Sequence, residues 1–312
     1  AASWVISPAL GGVIAALFLA IIKFQIMFKE DKVTAAKKWI PILVGIMSGA
    51  FAMYLTMKGL KHLWKPSGQV IILIGISFFL GTWFLVKPIV AKAARTIENR
   101  RRAVSDLFTI PLIFSAALLS FAHGANDVAN AVGPLAAVVG VASGADMTGH
   151  VGLPIWILIV GALGIAAGLM LFGPKLVRTV GEKITKLDRA RAYCVALSAA
   201  ITVIIASTFG LPVSSTHIAV GGVFGVGFFR EFLANKKSKE RLERVLPPPS
   251  GPGEDTGRAE ALERLQKKQE KARRRKLVRR QHLSTIVAAW LITVPMSAAL
   301  AAMIYFVLTA FI

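Results

Sequence analysis

Residues 121–134 read Phe-Ala-His-Gly-Ala-Asn-Asp-Val-Ala-Asn-Ala-Val-Gly-Pro and lie between apolar runs at 110–119 and 135–141. An aspartate at bilayer depth costs on the order of 2.5–3.5 kcal/mol on insertion scales, so Asp127 is kept there only if something uses it. With Asn126 and Asn130 it offers hard oxygen ligands suited to a cation such as Na+. The two amides can also donate hydrogen bonds to an anion. Val128 is expected to open a new helical stretch after a break near Gly124.

A second stretch, 207–217, reads Ser-Thr-Phe-Gly-Leu-Pro-Val-Ser-Ser-Thr-His. Ser214, Ser215 and Thr216 follow Pro212 and so fall in the first turn of a helix running to Phe228. Free amides and the positive end of the helix dipole favour an oxyanion there. A phosphate or sulfate beside Asp127 is repelled unless a cation or a proton sits between them, which is the physical basis for symport. His123 and His217 are read as hydrogen-bonded interior residues that could add protonation-dependent charge.

The chain that must position these groups has 312 residues, 55% of them hydrophobic, and a formal net charge of +21. Its mean hydropathy is +0.65. The apolar residues form runs long enough for a hydrocarbon core of about 30 Å, which takes about 20 helical residues. The expected architecture is all-α and polytopic, with spans at 4–28, 40–57, 69–86, 107–142, 153–172 and 283–312. Residues 192–229 make two further apolar arms around the Gly-Leu-Pro break. The single cysteine, Cys194, excludes an internal disulfide and a cysteine metal cluster, and it reads as a small buried side chain. Nothing in the spacing of nucleophiles, bases or metal ligands suggests an enzyme, and no cofactor is expected beyond a bound Na+.

Loops 87–102, 173–191 and 230–282 are rich in Lys and Arg, whereas 143–150 has neither. The positive-inside rule places the basic loops in the cytoplasm and 143–150 outside. Residues 192–229 then leave and return on one side, as a re-entrant hairpin would, with non-helical backbone lining a cavity. The Pro-Pro-Pro-Ser-Gly-Pro-Gly run at 247–253 is linker, and 258–280 reads as a very basic helix. That insert is read as a solvated, topology-fixing loop with no specific nucleic-acid partner; nucleic-acid or anionic-lipid binding by its arginine-rich helix is the other reading.

The ends of the chain resemble each other: Trp4 and Pro8 in 2–16 correspond to Trp290 and Pro295 in 288–302. Paired repeats are the habit of secondary transporters. If 288–302 closes one repeat, 2–16 closes an earlier one, whose body is expected before residue 1. The segments follow: 1–28 as the last helix of a truncated first repeat and 29–106 as connecting helices with a basic loop. Then come 107–229 as the second-repeat core with both motifs, 230–282 as the basic insert, and 283–312 as the final transmembrane helix.

Gly124-Ala125-Asn126-Asp127-Val128-Ala129-Asn130-Ala131, with Gly210-Leu211-Pro212-Val213-Ser214-Ser215-Thr216-His217, resembles the inorganic phosphate transporter (PiT) family. The resemblance covers essentially the whole chain outside the insert. It implies an inverted-repeat transporter with broken or re-entrant helices, one repeat complete and the other truncated, that moves inorganic phosphate with Na+ or H+. It also implies that Asn126, Asp127, Asn130, Ser214, Ser215 and Thr216 contribute to the phosphate and cation sites, with Asp127 and Asn130 on the Na+. Family members carry each motif twice, whereas this chain has each once. Some members also place a glutamate where this chain has Ala196, which leaves the coupling ion open. The setting is a multi-pass protein of a bacterial inner membrane, surrounded by lipid, with a homo-oligomer allowed. The alternatives are a permease for sulfate or another oxyanion, and a membrane-tethered regulatory protein acting through the basic insert.

Overall fold

The computed structural model describes residues 2–59, 66–142, 154–178, 187–209, 211, 213–245 and 280–311. All regular elements among them are helices. In chain order they are α1 (Ala2–Ile22), α2 (Lys32–Tyr54), α3 (Gly68–Ala93), α4 (Arg101–Asp106), α5 (Thr109–Ala142), α6 (Ile155–Arg178), α7 (Arg189–Thr208), α8 (Ser215–Val245) and α9 (Arg280–Phe311). Widened π turns extend α1 over Lys23–Met27 and α2 over Leu55–Gly59. Eight helices among the described residues are long and apolar enough to cross a membrane. Helices are what a bilayer selects, because they satisfy every interior backbone group within the segment. Over the described residues each expected span falls on a helix, apart from a residue or two at its ends. The basic helix expected at 258–280 lies outside the described residues except for Arg280.

α8 runs 16 residues into the hydrophilic insert, from 230 to 245, where a loop was expected. Lys236, Glu240 and Arg244 recur every four residues there, as do Lys239 and Glu243, and opposite charges at that spacing support a solvated helix.

The centre of the molecule is α7. Of its apolar window 72% is buried, against 6% for α3 and α6 and none for α9, so the last three present their apolar faces outward. α1 and α8 pack against α7 and against each other, α5 lies on α7, α6 on α5, and α3 on α2. Leu19, Ile22, Leu43, Phe108, Tyr193 and Leu197 are fully enclosed in the main core cluster. Tyr193 makes its burial cost-free in polar terms by donating from Oη to the carbonyl of Leu43 at 3.0 Å, which ties α7 to α2. Cys194 beside it is fully buried, as its surroundings in the sequence suggested.

Small residues set the closest approach. A Cβ on Gly221 would lie 2.1 Å from the carbonyl oxygen of Pro8, and one on Gly225 the same distance from that of Gly12. Gly11 meets Ile218 and Ala15 meets Gly222. Both helices advance by four residues between these contacts, so α1 and α8 run parallel in backbone contact, as small residues permit in membranes. The α1–α2 connection is held by caps. Asp31 Oδ1 accepts from the amide of Thr34 at 3.0 Å, and Asn99 Oδ1 accepts from the amide of Lys32 at 2.9 Å.

Candidate functional site

The first motif is not a break. α5 continues through it without interruption, so Val128 lies mid-helix rather than at a half-helix start. The physical reason is the spacing itself: positions i, i+3, i+4 and i+7 share one helical face, so an intact helix already lines up His123, Asn126, Asp127 and Asn130. A break is not needed to gather them. Gly124 faces open space rather than a close neighbour. Pro134 lacks the amide that would bond back to the carbonyl of Asn130, a local weakening that membrane helices tolerate.

The second motif is a break. α7 ends at Thr208, Phe209 turns, and Leu211, Val213 and Ser214 are non-helical before α8 begins at Ser215. Ser214 is the cap. Its carbonyl accepts from the amide of Ile218 at 3.1 Å, and its Oγ accepts from the amide of His217 at 3.3 Å. A serine in that position satisfies amides that would otherwise face the interior unpaired.

The two motifs meet at Asp127. Asn126 Nδ2 donates to Asp127 Oδ1 at 2.8 Å and to the carbonyl of Val213 at 2.9 Å. Ser215 Oγ donates to Asp127 Oδ2 at 3.0 Å, and His123 Nε2 lies 3.0 Å from the same oxygen. Asn126 is nearly enclosed and Ser215 is 2% exposed, while the Asp127 side chain keeps 28% of its surface open. The carboxylate is thus held from three sides and reachable on the fourth. Ala122, Val203, Val213 and Ile218 pack a small apolar layer around the junction.

The expected site residues therefore divide. Asn126, Asp127 and Ser215 form one hydrogen-bonded unit, with Ser214 adjacent as the α8 cap. Thr216 is exposed, so the three hydroxyls do not act as one donor array. The backbone of Asn130 is helical, and its side chain lies outside the described residues. His123, expected as an ordinary interior histidine, is a direct partner of the carboxylate. Its i, i+4 spacing from Asp127 was the signal that could have found it.

Ser7 was missed altogether. It is 4% exposed, and its Oγ has no hydrogen-bond partner among the described residues. Gly11 packs on Ile218 and Pro8 on Gly221 in the parallel α1–α8 pair, so Ser7, one turn before Gly11, lies toward the α8 start. A hydroxyl amid apolar sequence in 5–22 carries no spacing that would single it out.

A family model described as the phosphate transporter family matches residues 1–301. The chain belongs to the phosphate transporter family. This is a family of transporters rather than enzymes, and the chain is a multi-pass membrane protein. It is 46% identical to a Helicobacter pylori (strain J99) protein named "Putative phosphate permease", over 97% of this chain and 64% of that protein. A protein of the same name from Haemophilus influenzae is 37% identical over 74% of this chain and 56% of its own length. The chain thus spans less than two thirds of the length of these relatives. Among solved structures it resembles one described as the sodium-dependent phosphate transporter, with a TM-score of 0.74 and 32% identity. That match covers all of this chain and 66% of the other.

Proposed function

We propose that the protein formed by this chain moves inorganic phosphate across a bacterial inner membrane together with Na+ or H+, with 107–229 as the core that carries both motifs. The observation that carries this is the Asp127–Ser215 hydrogen bond at 3.0 Å, which joins a carboxylate on α5 to the first turn of α8. A carboxylate at that place attracts a cation, and the α8 N-terminus attracts an oxyanion. Each ligand reduces the electrostatic cost of the other, because the cation screens Asp127 from the phosphate. Binding of one therefore favours binding of the other, and that coupling is reciprocal.

The residue roles follow. Asp127 and Asn130 contribute oxygens to the cation. Asn126 orients Asp127 and fixes the Val213 carbonyl. Ser214, Ser215 and the α8 amides face the phosphate, with the Ser7 hydroxyl as a further donor from α1. Thr216, being exposed, contributes through its backbone amide.

Two features bear on the coupling ion. The solved relative described as sodium-dependent favours Na+. The His123–Asp127 contact provides a place for a proton. Uptake of radiolabelled phosphate into proteoliposomes separates them. Na+ coupling gives uptake that follows an imposed Na+ gradient, whereas H+ coupling gives uptake that follows an imposed pH gradient and is lost in His123→Gln. Excess sulfate is expected to compete poorly. Full competition would shift the assignment to a general oxyanion permease. Deletion of 235–280 should leave uptake intact, and loss of uptake there would favour a role centred on the insert.

A further inference from the structure

At the opposite end of α1 from Ser7 is a small polar cavity of about 170 Å³, bounded by Lys23, Arg101, Asp188 and Arg191 with an apolar wall of Leu19 and Ile22. It is built by the end of α1, the start of α4 and the start of α7, where Arg101 and residues 188–191 come together. Three cations face one carboxylate. That carboxylate is already engaged: Asp188 Oδ1 accepts from the amide of Arg191 at 2.9 Å as the cap of α7, and Oδ2 pairs with Arg191 Nη2 at 2.7 Å. Among the described residues, Lys23 and Arg101 have no carboxylate within ion-pair distance. Both lie against the Phe28 ring, at 5.9 and 5.7 Å from its centroid. Arg230, half-buried on α8, adds a further positive charge that acts on Lys23.

Half-burying Lys23 among Arg101, Arg191 and Arg230 is costly, because desolvation and repulsion add and the Asp188 carboxylate offsets only part of them. The fold nonetheless commits structure to it: the π turn at Lys23–Met27 begins at this lysine, and such widened turns concentrate at functional sites. The volume holds about five waters at ~30 Å³ each, which is room for a phosphate-sized group. Arginine and lysine together suit such an anion, the planar fork of one and the point charge of the other. The apolar wall beside them also suits the glycerol and upper acyl chain of a lipid.

We infer that the cavity between Lys23, Arg101 and Arg191 is a second anion site, distinct from the Asp127 cluster, that takes a phosphate-bearing ligand: free phosphate or the headgroup of an anionic lipid. The site is independent of the transport assignment, since nothing in it uses Asp127 or α5.

The test uses full-chain protein in detergent, and binding at the cavity is told apart from any binding at the central cluster by its dependence on Lys23 and Arg101, which lie outside that cluster. Inorganic phosphate is titrated by calorimetry, and phosphatidylglycerol retention is followed by native mass spectrometry. Arg101→Gln, at an exposed position, and Lys23→Met with Arg101→Gln are compared with the charge-preserving pair Lys23→Arg with Arg101→Lys. Phosphate binding that weakens about tenfold or more in the neutralised proteins and survives in the charge-preserving pair identifies free phosphate. Phosphatidylglycerol retention with the same dependence, and no phosphate response, identifies a lipid headgroup. If neither probe binds, or binding is unchanged in Arg101→Gln and in the double variant, the inference is overturned. Should Lys23→Met fail to fold, Arg101→Gln alone carries the decision.

Discussion

Asp127 receives a hydroxyl donor from a residue 88 positions away and an amide donor from its neighbour. Both are bonds to a charged acceptor, each worth roughly 1.5–3 kcal/mol. Asp127→Asn replaces an acceptor with a donor and removes the charge. Uptake by the full-length protein should fall by more than about tenfold, with insertion and folding retained by gel filtration; unchanged uptake would remove the basis of the proposed mechanism. Ser215→Ala removes one donor and should cost about tenfold, whereas Thr216→Ala, altering an exposed side chain, should leave uptake within about twofold. A reversed order in the same assay would show that the hydroxyls serve the ligand in a pose the helix start does not suggest.

At the scale of helices, the α1–α8 contact is the most demanding. A Cβ at Gly225 would sit 2.1 Å from the carbonyl oxygen of Gly12, and backbone cannot retreat as a side chain can. Gly225→Ala should lower stability by about 1–3 kcal/mol through overpacking. Gly164→Ala, with open space around it, should be neutral or slightly stabilising by up to about 1 kcal/mol. Melting temperatures in one detergent compare them, and equal values would contradict the close parallel packing. The α2 cap responds to pH. Hydrogen bonds from the Thr34 hydroxyl and amide hold the Asp31 carboxyl below the usual carboxylate range. A lowered folded value means that the cap contributes fully above the ordinary pKa and loses its contribution as pH falls through the lowered one. Amide exchange at Thr34 should therefore accelerate on strong acidification and be insensitive to pH titration above neutrality once intrinsic rates are divided out.

For the molecule as a whole, α3, α6 and α9 turn apolar surface outward, and Leu163 on α6 is 65% exposed. Leu163→Lys should therefore penalise insertion by roughly 2.5–3.5 kcal/mol, read as the inserted fraction in a glycosylation-mapping assay. Orientation can be checked without background labelling, because Cys194 is fully buried. Cysteine introduced at exposed Glu98 should react with a membrane-impermeant reagent only from the cytoplasmic face. Labelling from the outside would invert the topology.

Span positions were legible in the sequence, because they depend on local composition: runs of apolar residues long enough to cross a bilayer, set apart by stretches rich in Lys and Arg. The Gly-Leu-Pro break was legible for the same reason, since backbone breakers act on their own neighbourhood. What the chain does at 121–134 was not, because the same polar residues suit a broken helix or one face of an intact one, and only packing against α7 and α8 chooses. Nor could local pattern reveal that Ser215 is committed to Asp127, that Ser7 is buried where α1 packs on α8, or that Lys23, Arg101 and Arg191 share a cavity. Those pairings join residues tens to hundreds of positions apart, and their distances exist only once the helices are docked.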